Sequence, residues 1–291
     1  MSGCPHIDLT DPDTFRGGLP RDVYRYLRRE EPVHWHEDPA QGVGFWVITR
    51  QQDLDYISKN PQLFSSEART ALADEFTQDE IDTIQSNMTI NMDPPRQMKS
   101  RKIVRATFTP KAVDSYEARF REHAKNIVDK VASRGECEFV EEVAAELPLL
   151  AILELCGIPA EDRKDFFEWT NTMMFGDDPD VSGGREAADA ASFELMLYAN
   201  QLAAKYRDSD VKNVSSQLLN GVINGEPVSD ETFSWIFLMI MVAGNESTRT
   251  TITHAMRNLM ENPDQYRYLQ ENPDKIEGAV YEMLRYNPPF I

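Results

Sequence analysis

One long helix constrains this chain more than any other feature of its sequence. Ser229 is a candidate N-cap, two acidic residues follow it, and the helical pattern continues to Glu261, just before Asn262-Pro263. At a rise of about 1.5 Å per residue, this helix is roughly 50 Å long. It crosses the whole molecule, so the other elements must pack around it.

The remaining pattern predicts a mainly α-helical protein with one small β hairpin near the N-terminus. Strands are expected at Pro32–Glu37 and Val43–Thr49, on either side of a turn. Helices are expected after Leu19-Pro20 and at 51–59, and the polar stretch 61–91 predicts a helix without a strong apolar stripe.

A helical pattern dominates the rest of the chain. From Pro95 onward, turns rich in glycine, proline and asparagine separate about eight further helices. The chain has 291 residues, of which 41% are hydrophobic, so it is long enough to bury a substantial core. We expect one domain spanning residues 1–291.

The charge balance and the cysteines narrow the partners and the compartment. With 30 basic and 49 acidic side chains, the net charge is −19, which argues against nucleic acid or an anionic membrane as the general partner. The N-terminus lacks a signal-peptide pattern, and the longest apolar run, 235–244, is too short to span a bilayer. Three widely spaced cysteines without a CxxC pair, Cys4, Cys137 and Cys156, favour a reducing cytosol. We therefore expect a soluble, cytoplasmic protein.

The long helix changes character in its middle, where a buried-helix sequence runs into AGNEST at 243–248. Glycine inside a helix costs about 1 kcal/mol relative to alanine, and Asn, Ser and Thr favour caps and turns. An interruption of this kind indicates a functional site. The alternative is a close helix crossing at Gly244, with Glu246 solvated on the far face.

A basic segment follows Asp93-Pro94-Pro95, which predicts an extended stretch and then a helix start at Pro95. Between Arg96 and Val113 there is no acidic residue. The six basic residues of this segment are Arg96, Lys99, Arg101, Lys102, Arg105 and Lys111. In so acidic a chain this basic island predicts an anionic partner, with a solvated helix face as the alternative.

Two E-x-x-R pairs lie in the helical C-terminal part. Glu282 with Arg285, and likewise Glu246 with Arg249, are spaced so that both side chains share one helix face. Most such pairs are exposed and stabilise a protein by well under about 1 kcal/mol. The stretch 286–289, which ends the helix in an extended turn, makes the first pair the more interesting one.

The long helix, the basic segment and the first E-x-x-R pair together resemble the cytochrome P450 family of haem-thiolate monooxygenases, specifically its soluble bacterial class. AGNEST at 243–248 resembles the oxygen-activating stretch of the family's long central helix, and Glu282 with Arg285 resembles its ExxR pair. The segment 93–110, DPPRQMKSRKIVRATFTP, is similar to the family's DPPxHxxxR followed by FTP. The resemblance covers essentially all 291 residues and implies the family's multi-helical fold with its small N-terminal sheet.

Three features depart from the family's pattern. Gln97 stands where the family usually has histidine, and Ser247 where threonine is usual. Glutamine donates a neutral hydrogen bond but not a charged one, and serine lacks the methyl group that restricts the threonine rotamer. Family members also continue past ExxR to a loop that carries the cysteine ligand of the haem iron, and this sequence has no such loop. The resemblance therefore implies a C-terminally truncated domain that is inactive as written.

The resemblance assigns chemistry to the central helix. Glu246 and Ser247 would deliver protons while oxygen is activated, with the hydroxyl of Thr248 beside them. Met239 and Val242, one turn earlier, would face the substrate. The implied cofactor is haem, which is expected only together with the missing cysteine loop.

The remaining motif residues would hold the cofactor or the fold. The residues expected at the haem are Gln97, Arg101, Ala243 and Gly244. Arg101 would clamp a propionate through charge-assisted hydrogen bonds, and the small residues would leave room for dioxygen. Glu282 and Arg285 would form a buried structural pair with no chemical role.

The same resemblance implies a partner and a substrate class. Because helix 95–107 lies next to the haem in the family, Lys99, Lys102 and Arg105 would dock an acidic electron carrier such as a ferredoxin. AGNE followed by a hydroxyl residue and Thr-Arg resembles the subgroup that hydroxylates sterols, terpenoids and branched alkyl chains. The expected reaction inserts one oxygen atom from O₂ into such an apolar substrate.

Two other functions stay open at this point. A non-catalytic helical ligand carrier or partner-binding scaffold without haem fits the chain as written. A haem enzyme that isomerises or dehydrates its substrate is the other, and the retained Glu246-Ser247 pair argues against it. A cysteine loop encoded after Ile291 would exclude the scaffold.

Overall fold

The chain folds into two compact units. The computed structural model describes residues 7–38, 43–67, 85–175, 183–223 and 225–289. The first unit comprises residues 1–98 and the second residues 99–291. The expectation of one domain over the whole chain stays a prediction.

The first unit contains the predicted hairpin between two helices. The elements are α1 (Arg21–Glu30), β1 (Val33–Asp38), β2 (Val43–Ile48) and α2 (Gln51–Lys59). The strands are antiparallel, with Trp35 opposite Trp46 and the two rings meeting edge to face at 5.0 Å. A cross-strand aromatic pair of this kind stabilises a sheet. The hairpin is confirmed, and its strand ends lie within one residue of those predicted.

The polar stretch 61–91 is described only in part, because residues 68–84 lie outside the described residues. The described part contains two short 3-10 turns, Gln85–Asn87 and Thr89–Asn91. The helix predicted in this stretch therefore falls on residues of which nothing is described.

The second unit is helical apart from one short ribbon. The helices from Pro95 onward are α3 (Arg96–Thr107), α4 (Pro110–Asp114), α5 (Glu117–Ala132), α6 (Glu146–Cys156), α7 (Arg163–Met174), α8 (Arg185–Tyr206), α9 (Val214–Leu219), α10 (Asp230–Glu261), α11 (Pro263–Glu271) and α12 (Ile276–Tyr286). From Pro95 onward the described residues thus hold ten α-helices where about eight are predicted, because α4 and α9 are only one to two turns long. The antiparallel ribbon β3 (Val222–Ile223) and β4 (Glu226–Pro227) is not predicted.

Helix α10 begins and ends where the sequence predicts. Ser229 is extended, and its Oγ accepts a hydrogen bond from the backbone N–H of Thr232 at 3.1 Å, which satisfies one of the free amides of the first turn. Asp230 and Glu231 place negative charge at the positive end of the helix dipole. The helix continues for 32 residues to Glu261.

The N-terminal half of α10 packs in the core of the second unit, against α6, α7 and α8. Phe166 of α7 meets Tyr198 of α8 at 4.8 Å and Phe237 of α10 at 6.3 Å, both edge to face. Such pairs contribute about 0.5–1.5 kcal/mol beyond the burial of their area. All buried residues of α10 lie between Phe233 and Glu246, and the half after Glu246, which is described throughout, contains none.

Exposed apolar side chains collect on the last two helices. They are Tyr266, Tyr268, Ile276, Val280, Tyr281, Leu284 and Tyr286. Helices α10, α11 and α12 line a groove of about 540 Å³ beside them. Apolar surface of this kind is typical of an interaction surface. Of the helices in the described ranges, none is long and apolar enough to cross a membrane.

Candidate active site

The residues predicted to interrupt the long helix do not break it, and α10 is regular through 243–248. Ser247 Oγ donates a hydrogen bond to the carbonyl of Ala243 at 2.8 Å, and Thr248 Oγ1 donates to that of Gly244 at 3.4 Å. Bonding back to a carbonyl one turn earlier is how serine and threonine are accommodated inside a helix. The hydroxyls of the predicted catalytic residues are therefore engaged with their own helix.

Gly244 lies at a close crossing of α10 and α6. A Cβ added at this position would lie 3.1 Å from Ile152 Cδ1, which is tighter than an ordinary van der Waals contact. The close helix crossing that was the alternative for Gly244 is thus confirmed. Its companion, a solvated Glu246, is wrong, because Glu246 is only 5% exposed. The role of Gly244 beside a cofactor stays a prediction.

Replacing Gly244 by alanine is expected to stabilise the protein less than replacing Gly278 by alanine. Both glycines are helical, and alanine gains about 1 kcal/mol of helix propensity. A Cβ at Gly278 meets nothing within 4 Å, whereas one at Gly244 crowds Ile152. Denaturant unfolding of the two variants measures the difference, and adding Ile152→Val to Gly244→Ala should recover part of it. Equal gains at both glycines would contradict the close crossing.

Glu246 is a buried carboxylate in an ion pair. Its Oε2 pairs with the guanidinium of Arg249, and its Oε1 accepts a hydrogen bond from Asn245 Nδ2 at 3.1 Å. Burial raises the pKa of Glu246 above its usual value, and the charge and hydrogen bond of Arg249 oppose that rise. A carboxylate with a raised pKa takes up a proton more readily than an ordinary one, which suits a group that relays protons.

Helix α7 supports this ion pair through residues that the sequence analysis does not identify. Arg249 Nη1 donates to Asn171 Oδ1 at 2.7 Å, and the guanidinium lies 5.3 Å from the centre of the Phe175 ring. Asn245 Nδ2 lies 3.3 Å from Thr170 Oγ1. The spacing of Glu246 and Arg249 was the one available signal for this network, and the α7 partners left none because they lie more than 70 residues away.

The two E-x-x-R pairs differ sharply in burial. Arg285 forms a bidentate pair with Glu282, with both hydrogen bonds at 2.7 Å, but the two side chains are 69% and 60% exposed. The Arg249 and Glu246 side chains are 11% and 6% exposed. The buried Glu282–Arg285 pair, expected for the intact protein, therefore stays a prediction, and among the described residues both side chains are exposed.

The residues predicted to face the substrate follow one stripe of α10. Met239 and Val242 are half-buried, and Met239 packs against the core cluster. Their spacing places them on the same helix face as Glu246. Ala243 is exposed, and Ser247 lies one turn after it. Met239, Val242 and Glu246 thus form one stripe of α10, and the small residues Ala243 and Ser247 form the stripe beside it. The binding roles of these residues stay predictions.

Five residues of the basic island lie on α3, and the sixth, Lys111, lies on α4. Arg101, Lys99, Lys102 and Arg105 are exposed, and none of them forms an ion pair with an acidic side chain within the described ranges. Ser100, Ile103 and Thr107 are the buried residues of this helix. Gln97 is half-buried, one turn before Arg101. The cationic groups are therefore available to an anionic ligand or partner.

The two described cysteines lie in different surroundings. Cys156 is buried at the C-terminal end of α6, and burial raises the pKa of its thiol to about 12. Cys137 is free and exposed between α5 and α6. Cys4 lies outside the described residues. Because the thiolate is the form that binds a metal ion, Cys156 is a poor ligand as it stands.

Comparison with known proteins connects this arrangement to bacterial enzymes. No family model matches the chain. It is 36% identical over 292 residues to the steroid C26-monooxygenase of Rhodococcus jostii (strain RHA1), covering 97% of this chain and 60% of that protein. Its identity to the steroid C26-monooxygenase of Mycolicibacterium smegmatis is also 36%, covering 97% of this chain and 67% of that protein. Linalool 8-monooxygenase of Pseudomonas putida is 30% identical, with 98% and 71% covered.

Solved structures agree with the relatives. The structure of a Mycobacterium marinum cytochrome P450 in complex with pseudoionone matches with a TM-score of 0.83 and 30% identity, covering 98% of this chain and 72% of that one. These matches assign the chain to a class of mainly α-helical enzymes. The chain belongs to the cytochrome P450 family, and both the family and its multi-helical fold are confirmed. It spans 60% of the length of the first steroid monooxygenase.

The described residues fit haem, the cofactor of this family, in part. Arg101 presents an exposed guanidinium without an ion-pair partner in the described ranges, which suits a propionate. Ala243 leaves an open position on α10. The described cysteines do not fit the role of iron ligand, because Cys156 is a buried thiol with a raised pKa and Cys137 lies in an exposed connection.

Proposed function

We propose that the full-length protein is a haem-thiolate monooxygenase that inserts one oxygen atom from O₂ into an apolar substrate. The observation that carries this proposal is the buried Glu246 next to Ser247 in the middle of α10. A buried carboxyl group with a raised pKa is costly to a protein and is typical of a site that moves protons.

Bound haem supplies the iron that activates dioxygen. The chain's own residues would hold the haem and deliver protons during the reaction. Arg101 and Gln97, one turn apart on α3, would hold a propionate, and Ala243 and Gly244 would leave space beside α10. Glu246 would take a proton on its carboxylate and pass it towards the hydroxyl of Ser247. Thr248 offers a second hydroxyl in the next position.

The proposed substrate is a branched or polycyclic hydrocarbon with few polar groups. Two relatives are named for steroids and linalool, and a third, at 31% identity, is a methyl-branched lipid omega-hydroxylase of Mycobacterium tuberculosis. Met239 and Val242 are apolar, half-buried and on the same helix face as Glu246. Apolar side chains around a few polar groups are the usual lining of a site for such a ligand.

The proposed electron donor is an acidic carrier of the ferredoxin type. The exposed basic side chains Lys99, Lys102 and Arg105 on α3 support this, because they lie on a chain whose net charge is −19. Charge complementarity of this kind mainly speeds the encounter of two proteins.

Reversing these three charges to glutamate is expected to slow reduction by an acidic ferredoxin about tenfold or more at low salt, because steering is lost. Stopped-flow spectroscopy over a range of ionic strength measures the rate of reduction. The difference in rate between the variant and the wild type should become smaller as the salt concentration rises. The control reverses Arg257, Arg267 and Lys275, which changes the net charge equally away from α3, at residues that each pair with an acidic neighbour. If both triple variants slow reduction alike, the docking surface is not on α3.

The proposed function is tested with the full-length gene product, reconstituted with a ferredoxin and its reductase. The carbon monoxide difference spectrum reports thiolate-ligated haem, and mass spectrometry under ¹⁸O₂ reports oxygen insertion into a steroid, a terpenoid alcohol and a methyl-branched fatty acid. One ¹⁸O atom in the product supports the proposal. A protein without haem indicates the scaffold, and a product without ¹⁸O indicates an isomerase or dehydratase.

A further inference from the structure

The carboxylate of Glu246 is held at both oxygens by neighbours on its own helix. Asn245, which is fully buried, donates to Oε1 at 3.1 Å, and the guanidinium of Arg249 pairs with Oε2. The carboxylate is therefore fixed on the side of α10 that faces α7. Ser247, whose hydroxyl the proton must reach, lies towards the open side of the helix.

Both of these neighbours are fixed in turn by α7. Arg249 donates to Asn171 Oδ1 at 2.7 Å and lies over the ring of Phe175. A long arginine side chain loses much rotamer freedom when it is confined, so the contacts that confine it must offset this entropy cost. One face of the guanidinium packs on the ring of Phe175, and its N–H groups donate to the neutral amide of Asn171 and to Glu246.

We propose that Arg249, held by Asn171 and Phe175, is a positioning residue that keeps the Glu246 carboxylate charged and oriented between rounds of proton transfer. The inference rests on the proposed function for its purpose. The E-x-x-R spacing alone assigns Arg249 no such role.

Electrostatics give the direction of the effect. Burial favours the neutral carboxyl, and the opposite charge of Arg249 favours the carboxylate. The side chains that α7 and α6 place at the residues around Glu246 are neutral: Thr170 contacts Asn245, Asn171 contacts Arg249 and Ile152 lies against Gly244. In the described part of the chain, Arg249 is the only charged group that acts on the pKa of Glu246. Without Arg249, Glu246 should therefore bind its proton up to a higher pH.

The test is the titration of Glu246 in the resting full-length haem protein, without substrate or electrons. Infrared difference spectroscopy follows the carboxyl group, and Glu246→Gln assigns its band. Arg249→Gln is expected to move the midpoint to higher pH, and Arg249→Lys should restore it in part. In Arg249→Gln, the pH of half-maximal product per electron should also move to higher pH. At neutral pH this variant should form about tenfold less product per electron than the wild type.

A second variant keeps the test decisive if Arg249→Gln does not fold. Asn171→Ala leaves both charges in place and frees the guanidinium, so a smaller rise of the midpoint is expected. An unchanged midpoint in Arg249→Gln, or in Asn171→Ala where the first variant cannot be made, overturns the proposal. A different result separates the two proposals. If Glu246→Gln leaves product formed per electron unchanged while Arg249→Gln still raises the titration midpoint of Glu246, the proposed proton role of Glu246 has failed and the positioning by Arg249 stands.

Discussion

Glu246→Gln in the full-length protein is expected to lower product formed per electron on the order of a hundredfold, the effect typical of losing a positioned acid–base group. The amide keeps the size of the side chain but cannot exchange a proton at neutral pH. Haem content and substrate affinity should stay the same, and the electrons should appear as hydrogen peroxide. Parallel assays of electron consumption, product and peroxide measure the split.

Ser247→Ala should divert electrons in the same way, because it removes the hydroxyl next to the acid. The matched control is Thr253→Ala, which removes a hydroxyl of the same helix that bonds back to the carbonyl of Arg249 at 2.9 Å. The control should form as much product per electron as the wild type does. Unchanged coupling in Glu246→Gln and Ser247→Ala would remove both residues from the mechanism.

The second large effect concerns the chain as it stands. Residues 1–291, expressed alone, supplied with haem and reduced, are expected to give no thiolate-type band with carbon monoxide. Ligation needs a thiolate, and Cys156 is a buried thiol whose pKa is raised to about 12, while Cys137 is exposed in the connection between α5 and α6.

The full-length gene product is the positive control for that measurement. A thiolate-type band from residues 1–291 would contradict the expectation and would show that one of its three cysteines is a ligand. Serine substitutions of Cys4, Cys137 and Cys156, one at a time, would then identify it by loss of the band.

The elements that local rules determine were predictable from the sequence. Helix α10 has a side-chain cap at Ser229 and a proline after its end, and the hairpin has alternating strands around a turn, so both were found with their boundaries. Helix α9 and the ribbon at 222–227 were missed because segments of two to six residues carry little periodic signal. Their existence depends on packing, as the burial of Val214 and Leu218 in α9 shows.

The site was predictable in its residue types but not in its surroundings. Two pairs with identical E-x-x-R spacing have opposite burial, because α7 covers Glu246 and Arg249 while no described element covers Glu282 and Arg285. Spacing along a helix fixes which side chains are neighbours. It does not fix which face another helix will cover, and Asn171 reaches Arg249 across 78 residues of sequence.

The uneven burial of α10 has a consequence for motion. The free energy of local opening depends on the buried contacts that opening would break, so it should be high from Phe233 to Glu246 and low towards Glu261. Glu246 and Ser247 lie at the boundary between these two regimes. The well-packed segment before Glu246 can keep its carboxylate in place. The less buried turns that follow let the Ser247 hydroxyl change its hydrogen-bond partner while the core stays folded.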